Sequence, residues 1–349
     1  MAKTAVVLLN LGGPDKPESV EPFLFNFFRD PAIIGAPNPI RWLIAKLICK
    51  RRGPVAREIY AHLGGGSPLL PLTRKQADAL EASLENEVDD IKCFVCMRYW
   101  HPMSGEVAAE VKAWGADKVV LLPLYPQYST TTTGSAIKAW REAARDAGLL
   151  AEEKLVCCYP EHPGFVESMA ELTRPVLEQA RTKGTPRLLF SAHGLPCKII
   201  KSGDPYQRHV EASAAAIVKR LGVDGLDHVT CYQSRVGPLE WIGPSTEDEI
   251  LRAGKDCVPL VILPVAFVSD HSETLVELDI EYRELAEQNG VPGYFRVPAL
   301  NTDKAFIGCL TDLVQNALAD KSLACAEDDP CGCIIDIRGG GHVLEKASA

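Results

Sequence analysis

Eight short apolar runs, separated by longer stretches with helical periodicity, constrain the fold of this chain more than any other feature. The predicted strands are Val6–Leu9, Lys92–Met97, Val119–Pro123, Leu155–Cys158, Arg187–Ser191, His228–Tyr232, Pro259–Pro264 and Tyr294–Val297. Helices are predicted over Glu106–Trp114, Gly164–Arg181, Gln207–Leu221, Glu273–Gln288 and Thr302–Ala319. This alternation indicates an α/β fold in which helices cover both faces of a parallel sheet. The runs are nearly all apolar, as strands buried on both faces should be.

Eight strands are too many for one mononucleotide-binding half, so we predict two similar α/β domains joined near Leu149–Leu155. The expected boundaries are 1–150 for an N-terminal Rossmann-like domain, 151–320 for a C-terminal Rossmann-like domain and 321–349 for a Cys-rich tail. A chain of 349 residues is long enough to bury two hydrophobic cores. No motif is visibly repeated between the two halves.

Residues 17–70 interrupt the strand–helix rhythm. They contain Phe23–Phe28, Trp42–Ile48 and Gly64–Pro68. This pattern predicts an apolar helical insertion that forms a lip for a flat, apolar ligand; ordinary core packing is the alternative. Arg52 and Ser67, in the insertion and at its end, could bind carboxylates of such a ligand. An exposed apolar lip also predicts loose peripheral contact with a membrane.

The net charge and the hydropathy of the sequence argue against several classes of protein. The net charge is −9 and no long basic stretch occurs, which argues against a nucleic-acid partner. The longest apolar candidate for a membrane span, Trp42–Ile48, is short and contains Lys46. The chain enters a strand-like run at once, without the regions of a signal peptide, so a cytoplasmic location is expected. The twelve cysteines are then expected to be free thiols or metal ligands.

Polar and ionisable residues follow most of the predicted strands. They include Asn10, Arg98, Tyr99, His101, Tyr125, Gln127, Tyr128, His193, Gln233, Arg235, Asp270, His271, Glu273 and Glu277. Because ligands of such folds bind outside the carboxyl ends of the strands, these side chains should converge on one cleft. A nucleotide site is not expected there, since Gly12-Gly13 lacks the G-x-G-x-x-G spacing and is followed by Pro14.

The run Asp270-His271-Ser272-Glu273, with Glu277, is the richest group of ionisable residues. If a helix begins near Ser272, the two glutamates lie on one face of it. Carboxylates combined with histidine suit a borderline cation such as Fe²⁺. The alternative is that the acidic residues only complement the helix dipole. For His193, the alternative to a functional role is a buried, hydrogen-bonded histidine.

These residues together resemble the ferrochelatase family, from Leu8 to about Leu318. The motifs that carry the resemblance are Leu9–Pro14, Gly64–Pro68, Met97–Pro102, Tyr125–Ser129, Ser191–Pro196, Ser234–Pro238 and Phe267–Glu273. The resemblance implies two Rossmann-like domains with parallel four-stranded sheets flanked by helices, and a porphyrin cleft between them. It also implies a lyase that inserts Fe²⁺ into protoporphyrin IX to form protohaem, the final step of haem biosynthesis. Coproporphyrin III carries four carboxylates, more than protoporphyrin IX, and an apolar lip suits the less carboxylated molecule. Protoporphyrin IX is therefore favoured as the substrate.

The resemblance assigns roles to individual residues. It implies that His193 is the base or a metal contact. Glu273 and Glu277 are implied as a proton or metal relay, with His271 in the same cluster. The implied contacts of the substrate Fe²⁺ are His193 and Glu273. The implied porphyrin-binding residues are Leu11, Arg52, Tyr60, Ser67, Arg98, Tyr125 and Trp241. Val55 departs from the family pattern, because some relatives carry a propionate-binding lysine there. A homodimer is a further expectation.

The tail carries Cys325, Cys331 and Cys333, three thiols within nine residues, which predicts a metal site. Some members of the family hold a 2Fe–2S cluster with three C-terminal cysteines and one upstream. Thr130 cannot supply the upstream ligand. The pair Cys157 and Cys158 is expected to end a strand, where the two side chains point to opposite faces. We therefore predict Cys158 as the fourth ligand, with Cys157 as the alternative. Zinc, a redox disulfide and a disordered tail are the other interpretations. The pair Cys93 and Cys96 is expected to be core packing.

Two other functions are compatible with this pattern. One is a chelatase that inserts cobalt or nickel into a more carboxylated tetrapyrrole, which the apolar lip disfavours. The other is a carrier of haem or another tetrapyrrole, which would need the cleft but not the pair Glu273 and Glu277.

Overall fold

The computed structural model describes residues 2–85, 88, 90–235, 237 and 239–319. The chain divides into two compact units. The first comprises Met1–Cys158 with the stretch that begins at Leu310, and the second comprises Tyr159–Cys309. The predicted tail at 321–349, with Cys325, Cys331 and Cys333, lies outside the described residues.

The first unit contains a parallel sheet of four strands: β1 (Thr4–Asn10), β2 (Ile91–Met97), β3 (Lys118–Pro123) and β4 (Glu152–Leu155). Their order in the sheet is β2-β1-β3-β4. The helices are α1 (Val20–Phe28), α2 (Asn38–Ala61), α3 (Leu69–Leu84), α4 (Ser104–Trp114) and α5 (Ser135–Ala147), with a short 3₁₀ helix (Pro17–Ser19) and a first π-helix (Thr130–Gly134).

The second unit contains β5 (Arg187–His193), β6 (His228–Gln233), β7 (Leu260–Pro264) and β8 (Tyr294–Arg296), again all parallel. Their order is β6-β5-β7-β8. The helices are α6 (Pro163–Arg181), α7 (Cys197–Lys201), α8 (Tyr206–Leu221), α9 (Thr246–Asp256), a second π-helix (Glu273–Glu281), α10 (Tyr282–Gln288) and α11 (Lys304–Leu318). The last helix begins in this unit and ends in the first.

The two sheets share one topology. In each, the first strand in the chain lies between the second and the third, and the fourth forms an edge next to the third. A π-helix follows the third strand of each sheet. The prediction of an α/β fold with two parallel four-stranded sheets flanked by helices is therefore confirmed.

The central strands explain why the strand signal in the sequence is so apolar. Every residue of β1 is buried, and six of the seven residues of β5 are buried. Side chains on one face of the first sheet pack against Trp140 and its neighbours, which α5 supplies. In the second unit, Leu189 and Ile262 pack with Ile250 and Ala286 in the same way. Because helices cover both faces, both faces must be apolar.

The fourth predicted strand is displaced in the structure. Leu155–Cys158 was expected, whereas β4 spans Glu152–Leu155 and pairs with β3 in the first sheet. The segment Glu-Glu-Lys-Leu is polar because β4 is an edge strand and is only partly buried. Cys157 and Cys158 therefore follow the strand instead of ending it, and the strand-alternation argument for choosing between them does not apply.

The insertion over residues 17–70 is helical, as predicted. It forms the 3₁₀ helix, α1, α2 and the start of α3. One feature of α2 stands out: several large apolar side chains are exposed, with Leu43 at 62% and Leu47 at 59% of their full accessibility. None of the helices within the described part of the chain is long and apolar enough to cross a bilayer.

Candidate active site

His193 is the last residue of β5, the central strand of the second sheet. This is the strand end at which ligands of doubly wound folds bind. Its Nδ1 lies 3.0 Å from Oε2 of Glu273, the first residue of the second π-helix. The two side chains retain 38% and 26% of their accessibility, so a substrate can reach the pair. Since Nδ1 is engaged with the carboxylate, Nε2 is the ring nitrogen that remains for a substrate.

The pair behaves as an ion pair. Burial lowers the pKa of His193, but the charge of Glu273, its hydrogen bond and the charge of Glu277 outweigh this, so the pKa lies above the ordinary value. Burial raises the pKa of Glu273, yet the charge and hydrogen bond of His193 and the charge of His271 bring it below its ordinary value. The carboxylate therefore stabilises the imidazolium form of His193 and makes its imidazole a stronger base.

Glu277 is held differently. Its carboxylate accepts hydrogen bonds from Gln233 Nε2 at 2.8 Å, from Ser234 N at 2.9 Å and from Ser234 Oγ at 2.6 Å. Ser234 has a φ of 62°, a left-handed conformation that is uncommon outside glycine and that turns both donors to the same carboxylate. Burial and the charge of Glu273 nevertheless raise the pKa of Glu277. The pKa of one carboxylate of this site is lowered and that of the other is raised, which is the arrangement of an acid–base site.

The helix that carries both glutamates is the second π-helix, which continues into α10. A helix was predicted to begin near Ser272, and its position is confirmed. Its π geometry, with hydrogen bonds from residue i to i+5, was not predicted, because an apolar period near 3.6 does not distinguish the two helix types. Stretches of π-helix are rare and are frequent at functional sites.

His271 and Asp270 have different surroundings. His271 is buried, its Nδ1 lies 3.2 Å from the carbonyl oxygen of Ser269, and its Nε2 lies 3.9 Å from Glu273. Burial lowers its pKa, so it is less readily protonated than His193, whose pKa is raised. Asp270 pairs with Arg296 at 3.1 Å, and its charge acts on His271.

Trp241 lies beside the loop that leaves β5. A Cβ added to Gly194 would come within 2.9 Å of the Gln233 carbonyl oxygen and 3.4 Å of the Trp241 ring. The glycine after His193 thus lets β6 and the indole approach the strand end closely. The indole Nε1 is buried and has no hydrogen-bond partner within the described residues. The Trp241 indole therefore lies beside Gly194, the residue that follows His193.

At the corresponding strand end of the first unit, two glycine-containing loops meet. A Cβ on Gly13 would lie 2.6 Å from Ser67 Oγ and 3.9 Å from the Tyr60 hydroxyl. The N–H of Ser67 donates to the carbonyl oxygen of Pro14 at 2.7 Å. The loop after β1 therefore fixes Ser67 and Tyr60 next to each other, and only glycine fits at position 13.

Arg98, which follows β2, belongs to a buried polar network. Its Nη2 donates to Asp30 at 2.7 Å and its Nε donates to Ser135 at 2.8 Å. The hydroxyls of Tyr99 and Ser135 also donate to Asp30. Burial raises the pKa of Asp30, but the Ser135 hydrogen bond and the Arg98 charge bring it below its ordinary value. A buried carboxylate thus holds the guanidinium in one orientation.

Tyr125, Arg52 and Leu11 are the remaining predicted porphyrin-binding residues of the first unit. The hydroxyl of Tyr125 is buried and has no hydrogen-bond partner among the residues described. Burial raises its pKa, with a further contribution from Tyr99. Arg52 is exposed on α2, close along the chain to the exposed side chain of Val55. Leu11 is partly buried, and its carbonyl oxygen accepts from the N–H of Tyr99 at 3.0 Å.

A family model described as Ferrochelatase matches residues 3–318. The chain belongs to the ferrochelatase family. Relatives named ferrochelatase agree with this: the protein of Caulobacter vibrioides (strain NA1000 / CB15N) is 55% identical over 318 residues, covering 90% of each chain. The protein of Pelagibacter ubique (strain HTCC1062) is 50% identical over 314 residues, covering 89% of this chain and 90% of its own. The resemblance inferred from the motifs is confirmed.

Solved structures agree at the level of the fold. SirB from Bacillus subtilis with Fe³⁺ superposes with a TM-score of 0.54 at 11% identity, covering 91% of this chain and 96% of that one. The sirohydrochlorin chelatase SirB from Bacillus subtilis subspecies spizizenii, in complex with cobalt, gives a TM-score of 0.52 at 11% identity. At such identity the likeness concerns the fold alone.

Several residues of this ferrochelatase-family site had no assigned role in the sequence. Asp30 and Ser135 lie 68 and 37 residues from Arg98, so nothing local connects them with it. The available signal for Asp30 was an adjacent pair of ionisable residues, Arg29 and Asp30, between apolar runs. Gln233 was visible as a polar residue at a strand end, but its bond to Glu277 follows only from the fold.

No group of three or more His, Cys, Asp or Glu side chains within the described ranges is placed to hold a metal ion. Cys158 is buried, with 2% of its surface accessible, and Cys157 is partly buried. Burial raises the pKa of Cys93, and it raises that of Cys96 to about 11, so both are poor thiolate ligands. This supports their interpretation as packing residues.

Proposed function

We propose that this member of the ferrochelatase family inserts Fe²⁺ into protoporphyrin IX, forming protohaem and releasing two protons. The observation that carries the proposal is the accessible pair of His193 and Glu273 at the end of β5, with Glu277 of raised pKa on the same π-helix. Metal insertion requires a base that removes pyrrole protons near neutral pH. A histidine is the side chain suited to that task.

In this proposal, Nε2 of His193 accepts a pyrrole proton. Glu273 stabilises the imidazolium that forms, through the 3.0 Å contact at Nδ1. Glu277, whose pKa is raised, is the next acceptor of the proton. His193 and Glu273 also serve as contacts of the incoming Fe²⁺, because imidazole nitrogen and carboxylate oxygen both bind this ion. His271 belongs to the same cluster in this proposal, with its Nε2 3.9 Å from Glu273.

Porphyrin binding is proposed for seven residues. They are Leu11, Arg52, Tyr60, Ser67, Arg98, Tyr125 and Trp241. The packing of Trp241 against the His193 loop supports its assignment, and so does the contact of Gly13 with Ser67 and Tyr60. Arg52 and Ser67 can supply a charge and a hydroxyl to the propionates. The division at 1–150, 151–320 and 321–349 is proposed as the functional organisation of the chain.

A 2Fe–2S cluster is proposed as a resident cofactor, held by Cys325, Cys331, Cys333 and Cys158, with Cys157 as the alternative. Four thiolates are the ligand set that such clusters require, so the residues fit the group. When bound, the cluster would supply one-electron redox chemistry. Iron and sulfide analysis of Cys158→Ser, with Cys157→Ser as the matched control, tests the assignment.

The exposed apolar face of α2 supports peripheral membrane contact of a cytoplasmic protein. Leu43 and Leu47 would enter the interface, and Arg51 and Arg52 follow them on the same helix. Sedimentation with liposomes tests this, with Leu43→Ser and Leu47→Ser expected to reduce the bound fraction. A homodimer is also proposed, and analytical ultracentrifugation tests it.

The experiment that tests the proposed function is anaerobic absorption spectroscopy with protoporphyrin IX and Fe²⁺. Catalytic conversion of free-base porphyrin bands to haem bands supports it. Binding without metallation would favour a tetrapyrrole carrier. Metallation of a more carboxylated tetrapyrrole with cobalt or nickel, but not of protoporphyrin IX with Fe²⁺, would favour the other chelatase function.

A further inference from the structure

Tyr282 bridges two carboxylates in the second unit. Its hydroxyl lies 3.1 Å from Oε1 of Glu277 and 2.9 Å from Oε1 of Glu247. Tyr282 is the first residue of α10, and Glu247 lies in the first turn of α9. The phenol ring is 5% accessible and belongs to the second hydrophobic core. Its hydroxyl therefore connects the candidate acid–base site with a different helix.

A phenol has one hydrogen, so it can donate to only one of the two carboxylates at a time. The other contact is favourable when that carboxyl group carries its own proton and donates to the phenol oxygen. Burial and the charge of Glu273 raise the pKa of Glu277, so it takes up a proton more readily than an ordinary glutamate. Glu247, in the first turn of α9, is the other carboxylate within hydrogen-bond distance of the phenol. Once metal insertion has delivered a proton to Glu277, the arrangement is Glu277 O–H to Tyr282 O–H to the Glu247 carboxylate.

We propose that Tyr282 and Glu247 form a proton exit from Glu277. The proposal rests on the proposed function, since it concerns a proton that metal insertion delivers to Glu277. In the transfer, the Glu277 O–H bond breaks as a new O–H bond forms at Tyr282, and the original phenol proton passes to Glu247. Glu277 loses one proton, Glu247 gains one and Tyr282 remains neutral. Glu247 then releases its proton to water.

Concerted transfer is required by the surroundings of Tyr282. Burial, together with the charges of Glu277 and Glu247, raises its pKa far above the ordinary value for tyrosine. A phenolate is therefore inaccessible near neutral pH, and the hydroxyl can pass a proton only by accepting one as it donates another. The charged and titratable groups that face this route are Glu247 from α9, Glu273 and Glu277 from the π-helix, and His193 from β5.

Glu247 is suited to the outer end of the route. It is partly exposed, whereas Glu249 of the same turn is buried and pairs with Arg252 at 3.2 Å. Asp248, between them in sequence, is exposed. Among the three acidic residues of this turn, Glu247 is the one whose carboxylate accepts from Tyr282 and also retains contact with solvent.

The test compares Tyr282→Phe and Glu247→Gln with wild type in single-turnover metallation of protoporphyrin IX by Fe²⁺ without air. The matched controls are Tyr294→Phe, which removes a buried hydroxyl bond to the Leu278 carbonyl oxygen of the same π-helix, and Asp248→Asn. Porphyrin affinity is measured by fluorescence titration. We expect both relay variants to metallate roughly tenfold more slowly or worse, with unchanged porphyrin affinity. We also expect a changed solvent deuterium isotope effect and partial recovery with small proton-carrying buffers.

Wild-type rates, isotope effects and pH profiles in Tyr282→Phe and Glu247→Gln would overturn the relay while leaving the proposed function intact. An equal loss in Tyr294→Phe, without buffer rescue in any variant, would show that the hydroxyl is structural and would also overturn it. Failure of the wild-type protein to metallate the porphyrin at all would remove the proposed function first, and the relay with it.

Discussion

The two units share one strand order but carry different chemistry at the ends of their strands. In the first unit, the buried carboxylate of Asp30 is neutralised by Arg98 and held by two hydroxyls. In the second, two glutamates face one histidine, so one carboxylate has no counter-charge and its pKa is raised. A balanced pair fixes a side chain for binding, whereas an unbalanced group can exchange protons. The shared topology puts ionisable groups at equivalent strand ends, and the local charge balance determines whether they fix a side chain or exchange protons.

The largest effect is expected from His193→Ala. Removing the proposed base should lower the metallation rate by roughly 10²–10⁴-fold while protoporphyrin IX still binds. Stopped-flow absorption measures the rate and fluorescence quenching measures binding. A rate within a few-fold of wild type would show that the second unit does not carry the base.

Asp30→Ala tests the balanced pair of the first unit. It leaves the Arg98 guanidinium without its buried partner, and such changes cost about 3–5 kcal/mol of unfolding free energy. Urea denaturation measures this loss. Porphyrin affinity should fall as well, because Arg98 loses its fixed orientation, but the pH dependence of metallation should keep its shape. A shifted pH profile would mean that the first unit also takes part in proton transfer.

Glu273→Gln should move the pH profile in a definite direction. The carboxylate raises the pKa of His193, and only neutral imidazole accepts a pyrrole proton. In wild type, activity therefore rises as the pH passes through this raised pKa. Without the carboxylate the pKa falls, so the rising limb should move to lower pH while the maximal rate decreases. Rate measurements across pH check this, and a limb that moves to higher pH would contradict it.

The smallest effects are expected from substitution of the glycines that follow the central strands. A Cβ at Gly13 would meet Ser67, and one at Gly194 would meet the Gln233 carbonyl oxygen. Each alanine variant should cost about 1–3 kcal/mol by overpacking. Gly13→Ala should weaken porphyrin binding, whereas Gly194→Ala should lower the metallation rate more than the affinity. Thermal unfolding and the two functional assays separate these outcomes.

The fold could be predicted because strands buried on both faces are apolar along their whole length, as in β1 and β5. The exception, β4, is a polar edge strand whose sequence lacks that signal. His193, Glu273 and Glu277 were found because they follow apolar strands and form specific motifs. Their partners Gln233 and Tyr282 acquire roles only through contacts that the fold creates, as Asp30 and Ser135 do in the first unit. The two units share one topology but no repeated sequence motif, so the sequence does not reveal this similarity.

Proton release during metallation tests the central claim most directly. Wild-type protein, protoporphyrin IX and Fe²⁺ are mixed without air in weak buffer with a pH indicator, and haem formation is followed at the same time. The account predicts two protons released for each haem formed. In His193→Ala it predicts porphyrin that binds but is neither metallated nor deprotonated on the timescale of the wild-type reaction. Haem formation and proton release at the wild-type rate in His193→Ala would contradict it.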